Sequence, residues 1–124
     1  MMTDSIQGKN QTDFWMMLDS LVESSEIMID RPRGSTHPRF EGWVYPLDYG
    51  YLAGTTANDG GGIDIWIGSG EQRVVGIINT IDFVKRDAEI KILLGCTEAE
   101  IEMVLAFFDQ SEMGCLAVIR PTHP

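Results

Sequence analysis

Residues 63–68, Ile-Asp-Ile-Trp-Ile-Gly, alternate with the period of a β-strand, so Ile63, Ile65 and Ile67 share one face while Asp64 and Trp66 share the other. The preceding stretch, 46–62, is dense in Gly, Asp, Asn, Thr and Tyr and reads as turns. Further strand-like runs occupy 26–30, 42–45, 73–82, 89–94 and 115–119, with Pro32 and Pro121 interrupting the first and closing the last. Residues 31–40, with two prolines, a glycine and several charges, form a loop.

Two helices are expected. Over residues 12–23 the apolar positions Phe14, Leu18, Leu21 and Val22 recur at helical spacing, while Trp15, Met16 and Met17 widen the apolar surface. This helix should therefore pack on the body of the domain or on a partner chain. Thr97-Glu98-Ala99-Glu100 is a capping box that leads into Ile101, Val104, Leu105 and Phe108 at i, i+3, i+4 and i+7. Short strands, Gly-rich turns and one late helix predict a mainly β fold of the α+β class, a small barrel rather than a parallel sheet. Residues 1–10 read as a flexible tail and 11–124 as one domain, a usual size for a single core in a chain of 124 residues.

The formal charge of −10, with only 9 Lys and Arg, weighs against a nucleic-acid binder, which needs a basic face for phosphate contacts. An anionic ligand would need local arginines or divalent cations to offset the acids. Cys96 and Cys115 are too few for a disulfide framework and too far apart for a metal knuckle; as reduced thiols they favour a cytoplasmic protein. No apolar run approaches the roughly 18 residues of a membrane span, and no export signal opens the chain, so the expectation is neither export nor insertion.

Tyrosines, glycines and acids are packed together between residues 45 and 64. Asp59 and Asp64 lie on either side of Gly60-Gly61-Gly62, so a turn there can fold one carboxylate back towards the other. Two readings stand. Convergent carboxylates suit a hard cation such as Mg²⁺, and an Asp-Gly pair is equally the signature of an ordinary hairpin turn.

Tyr45-Pro46-Leu47-Asp48-Tyr49-Gly50-Tyr51 followed by Asp59-Gly60-Gly61-Gly62-Ile63-Asp64-Ile65 resembles the soluble inorganic pyrophosphatase pattern Tyr-Pro-x-Asn-Tyr-Gly-Tyr and then Asp-Gly-Asp-Pro-x-Asp-Val, with the spacing kept. Upstream, Ile29-Asp30-Arg31-Pro32 and Arg39-Phe40-Glu41 are similar to the family's Glu-x-Pro and Lys-Tyr-Glu. Downstream, Val75-Gly76-Ile77 through Asp82, Asp87 and Lys91 resembles the strand pair that carries its remaining metal aspartates and a phosphate-binding lysine. The chain departs from the pattern at Gly61, in place of a central aspartate, at Asp48, in place of asparagine, and at Glu112, where a Tyr-Lys pair is expected. The hairpin between the Glu41 and Tyr45 segments is deleted.

The resemblance implies an OB-like β-barrel with a short N-terminal and a C-terminal helix, hydrolysing pyrophosphate or a related phosphoanhydride with Mg²⁺, Mn²⁺ or another divalent metal. It implies Asp59, Asp64 and Asp87 as metal ligands, with Asp82 an additional candidate, and Glu41 and Asp30 as holders of metal-bound water. Arg39 and Lys91 would bind phosphate, and Tyr49 would donate its hydroxyl to phosphate or to a site carboxylate. Catalysis would then rest on Asp59, Asp64, Tyr49 and Glu41, in a homo-oligomer without nucleic-acid or membrane partners. The register from Asp87 to Lys91 is open, because Glu89 falls where the family places its lysine; a bulge would displace Lys91. A descendant that binds metal-phosphate, a nucleotide or a protein without catalysis is the alternative.

Overall fold

The computed structural model describes Gly8 and residues 11–122; the expected tail over 1–10 lies, Gly8 apart, outside these. Helix α1 (Gln11–Glu23) is followed by strands β1 (Ile27–Arg31), β2 (Asp48–Leu52), β3 (Ile63–Ile67), β4 (Val74–Asp82) and β5 (Asp87–Leu94), then helix α2 (Glu98–Asp109) and strand β6 (Gly114–Ile119). The strands form one six-stranded sheet in the order β1-β2-β3-β5-β4-β6. Neighbours are antiparallel except β3 and β5, which run parallel.

The mostly β, α+β class agrees with the sequence. The sheet is mixed, with β1 and β6 at its edges, and the six strands do not close on themselves as the small OB-like barrel expected from the sequence would. Strand β2 emerges from the segment read as turns, and no separate strand occupies 42–45, where only an isolated Thr36–Val44 bridge forms. Gly50 explains how β2 enters the sheet: a Cβ there would collide with the Met28 carbonyl of β1, so only glycine permits the approach.

Each face of the sheet carries its own apolar cluster. On one face Trp15, Leu18 and Val22 of α1 pack on Leu52, Ile65, Val74, Ile77, Ile92 and Leu94. The buried stripe of α1 is thus carried by Trp15, while Phe14, taken from the sequence as part of it, is exposed with Met16 and Met17. On the other face Val104, Phe107 and Phe108 of α2 cover Trp66, Ile78 and Leu93, with Tyr45 and Leu47 closing the side. The alternation in β3 is the cause of this sandwich: Ile65 and Trp66 point to opposite faces and both are wholly buried.

The capping box of α2 forms as expected. Thr97 Oγ1 accepts the Glu100 N–H at 3.2 Å, and Glu100 Oε1 accepts the Thr97 N–H at 2.9 Å. Glu100 also accepts the Ser69 N–H, at 3.1 and 3.2 Å, fastening the turn after β3 to the start of α2. Cys96 and Cys115 are both free thiols. Among the described residues no helix is long and apolar enough to cross a membrane.

Candidate functional site

On the α2 side of the sheet the register sets a lysine among acids. Asp64 of β3 lies opposite Lys91 of β5, and Tyr49 of β2 lies opposite Trp66 of β3. Lys91 Nζ donates to Asp64 Oδ2 at 2.7 Å, to Tyr49 Oη at 3.0 Å and to Glu89 Oε1 at 3.3 Å. An ammonium group has three N–H donors, so all three of Lys91 are engaged. The ammonium also lies 5.5 Å from the ring centroid of Tyr49 and 6.0 Å from that of Phe108, within cation–π range.

These contacts decide protonation. Burial pushes the Tyr49 phenol well above its ordinary value of 10.0, and Asp64 adds to the rise while Lys91 opposes it. Burial alone would lower the Lys91 pKa, but the attractions of Tyr49 and Asp64 outweigh it and raise it above 10.5. The site therefore holds a neutral phenol and a firmly charged ammonium at neutral pH.

Around this centre lies a cleft of about 280 Å³ into which Asp59, Asp64, Asp82, Asp87 and Glu89 all face, against the two lysines Lys85 and Lys91. The turn before β3 supplies Asp59, whose Oδ1 accepts the Gly61 N–H at 2.9 Å. The β4–β5 hairpin supplies Asp82 and Asp87, which lie opposite each other in register, and Asp82 Oδ1 accepts the Lys85 N–H at 3.0 Å. Strand alternation then carries Glu89 and Lys91 on the same face as Asp87. The Asp87–Lys91 stretch pairs one for one with β4, so no bulge displaces Lys91; the shift in this ladder lies at Val74–Gly76.

Of the residues singled out from the sequence, Tyr49, Asp59, Asp64, Asp82, Asp87 and Lys91 thus line one cleft. Arg39 lines a neighbouring cavity, while Asp30 and Glu41 line neither. Asp30 sits at the register shift of the exposed edge strand β1, and Glu41 lies on the exposed loop that the shortened connection to Tyr45 leaves behind. Asp30 is nonetheless near enough to act electrostatically on Tyr45, which lines the cleft, whereas Glu41 stands apart on its loop. Glu89 belongs to the cleft and was absent from the expected site; its two-residue spacing from Asp87 and Lys91 was the available signal. Trp66 also forms part of the wall, and its buried indole N–H has no hydrogen-bond partner among the described residues.

The donors fit a hard divalent cation in kind, since they are carboxylate oxygens. Among the described residues, no three His, Cys, Asp or Glu side chains are gathered closely enough to form a cation site as they stand, and two of the cleft acids are engaged by Lys91. Asp59, Asp82 and Asp87 are the carboxylates not bonded to Lys91. No protein-family model matches this chain, and no curated protein matches it either.

Proposed function

We propose that this chain hydrolyses inorganic pyrophosphate, or a related phosphoanhydride, in a reaction that depends on a divalent cation such as Mg²⁺. The observation that carries the reading is the meeting of Asp59, Asp64, Asp82, Asp87, Tyr49 and Lys91, drawn from separate segments, in one cleft. The acids there outnumber the lysines, so a phosphate anion would be repelled unless cations entered with it. Asp59, Asp82 and Asp87 would hold such a cation, with Asp64 and Glu89 in reach of the same cleft. Bound there, it would neutralise phosphate oxygens and acidify the attacking water.

The chain's own part is positional. Lys91 is held between Asp64 and Glu89; with another positive charge on those carboxylates, one of its N–H donors would be free to bond a phosphate oxygen. Tyr49, kept neutral by burial, retains its hydroxyl proton and can donate it to phosphate or to Asp64. The buried wall of Trp66, Phe107 and Phe108 excludes water from that side of the bond to be cleaved. The test is release of phosphate from pyrophosphate by purified protein with Mg²⁺, Mn²⁺ or Co²⁺. Turnover that vanishes on chelation is expected; absence of release with all three cations from mildly acidic to mildly alkaline pH would sink the enzymatic reading.

Binding without turnover is a second reading, favoured by two observations: every donor of Lys91 is engaged, and Gly61 brings no carboxylate between Asp59 and Asp64. Calorimetry showing saturable, cation-dependent phosphate binding without phosphate release would select it.

A further inference from the structure

A second, larger cavity of about 590 Å³ adjoins the acidic cleft and shares with it the walls His37, Trp43, Asp82, Lys85, Ser111 and Met113. Its character is different. Phe40 and Val84 line only this cavity, together with Arg39 and the loop after α2. Phe40 is 47% exposed and Val84 75% exposed, so apolar surface stands open to solvent beside a site built of charges.

The aromatic side of the cavity is preformed. Backbone bonds from Gly34 to Tyr45, Tyr45 to Ser35 and His37 to Trp43 close the 34–45 loop on itself. Within it the Phe40 ring lies 4.4 Å from that of Trp43 and 4.9 Å from that of His37. The Arg39 N–H donates to His37 Nδ1 at 3.1 Å, which fixes that ring as well. A flat group entering here meets rings already braced by one another, so little side-chain freedom remains to be lost on binding.

Inorganic pyrophosphate has no use for such a wall. The volume falls within the range of about 300–1,000 Å³ typical of small-molecule sites, and its lining sets the apolar groups Phe40, Trp43, Val84 and Met113 beside two cations, Arg39 and Lys85, and two acids, Asp82 and Glu112. Arg39 and Lys85 stand on the same cavity and offset its acids Asp82 and Glu112, so a group bearing phosphate with its divalent cation can lie across the junction, the phosphate towards Lys85 and the cation towards Asp82. The geometry points to a nucleoside diphosphate or triphosphate as the ligand, its base against Phe40 and Trp43 and its phosphates in the acidic cleft. This inference rests on the phosphate-binding reading of that cleft and narrows its substrate to a phosphoanhydride carrying a planar group.

Calorimetric titration in Mg²⁺ with ADP, adenosine and inorganic pyrophosphate tests it, on the full chain and on Phe40→Ala and Val84→Ala, two exposed positions where folding is checked by circular dichroism. ADP should bind more tightly than pyrophosphate. Loss of the Phe40 ring should weaken ADP roughly tenfold, as removal of a base-stacking ring does elsewhere, and leave pyrophosphate unchanged. Val84→Ala, which removes apolar contact without adding charge, should likewise weaken ADP alone. Equal binding of ADP and pyrophosphate, insensitive to both variants, overturns the base site while the phosphate reading stands. Binding of adenosine with ADP no tighter and pyrophosphate undetectable would overturn the phosphate reading instead, and no binding of any of the three overturns both.

Discussion

Lys91 Nζ lies 2.7 Å from Asp64 Oδ2, directly across the parallel pair β3–β5, with the lysine side chain 7% and the aspartate side chain 24% exposed. A buried ammonium thus occupies the position from which a cation would contact Asp64, Glu89 and the phenol of Tyr49. In the proposed reaction a divalent cation held by Asp59, Asp82 and Asp87 would compete with the lysine for the oxygens of Asp64 and Glu89.

Lys91→Met separates the two roles. It leaves Asp64 and Glu89 without their positive partner and should destabilise the fold by about 1–3 kcal/mol in chemical denaturation, less than a fully buried pair because both acids reach solvent. Millimolar Mg²⁺ should restore much of that loss, since the freed carboxylates then bind the cation, while phosphate affinity falls. A variant whose stability is indifferent to Mg²⁺ would show that Asp64 and Glu89 take no part in a cation site.

Gly61→Asp returns a carboxylate to the place where the resembled family has one. The geometry permits it: a Cβ at Gly61 would touch nothing nearer than Asp59 Oδ1 at 3.4 Å, and the residue is exposed. Another oxygen ligand should tighten Mg²⁺ binding roughly tenfold and raise phosphate release in step. An unchanged binding isotherm would place the 59–62 turn out of reach of the cation.

Alkaline pH tests the Tyr49–Lys91 contact. Both groups have folded-state pKa values raised above their ordinary 10.0 and 10.5, Tyr49 because burial disfavours its anion and Lys91 because Tyr49 and Asp64 outweigh the burial that would lower it. A raised folded pKa means stability that is complete below the unfolded value and is lost as pH climbs towards the folded one. Melting temperature should therefore hold up to about pH 10 and drop above it. Tyr49→Phe should make the alkaline drop shallower while costing about 1 kcal/mol at pH 7 for the lost hydrogen bond. An equally steep drop in both proteins would place the alkaline transition elsewhere.

How much of this was legible in the sequence follows from what each signal measures. The period of two in Ile63–Ile67 foretold that Asp64 and Trp66 would leave the isoleucine face, and the Thr97–Glu100 box fixed the start of α2. Both are local, so neighbours along the chain determine them. Strand β2 was hidden because Asp48-Tyr49-Gly50-Tyr51 has turn-like composition, and its extended form depends on Gly50 fitting against Met28. The open sheet was hidden for a similar reason: whether β1 meets β6 depends on strand order, which no local pattern carries. Within the site, motif spacing brought out six cleft residues but could not tell that Asp30 and Glu41 lie off its lining, because their positions depend on an edge-strand irregularity and a shortened loop. Glu89 was within sight, two residues from its partner, and only the regular β4–β5 register turned it inward.

The last prediction concerns the scaffold on which the site depends. Glu100 accepts the N–H groups of Thr97 and Ser69, the first of which does most to hold its carboxyl below the ordinary value of 4.5; burial, the next largest influence, works against it. A depressed carboxyl pKa confers stability that is present above about pH 4.5 and disappears as pH falls through the folded value. Glu100→Ala removes the acceptor for both segments at once and should cost about 1–3 kcal/mol in urea denaturation at pH 7, with the difference from the parent shrinking towards pH 3 as the parent loses the same charge. Glu100→Gln keeps a neutral acceptor and should fall between the two at pH 7 while losing the acid dependence. Because Ser69 follows β3, which carries Asp64 and Trp66, loosening this tie should also reduce cation affinity without any change in the cleft acids themselves. Full cation affinity in Glu100→Ala would mean that β3 is held in register by its neighbours β2 and β5 alone.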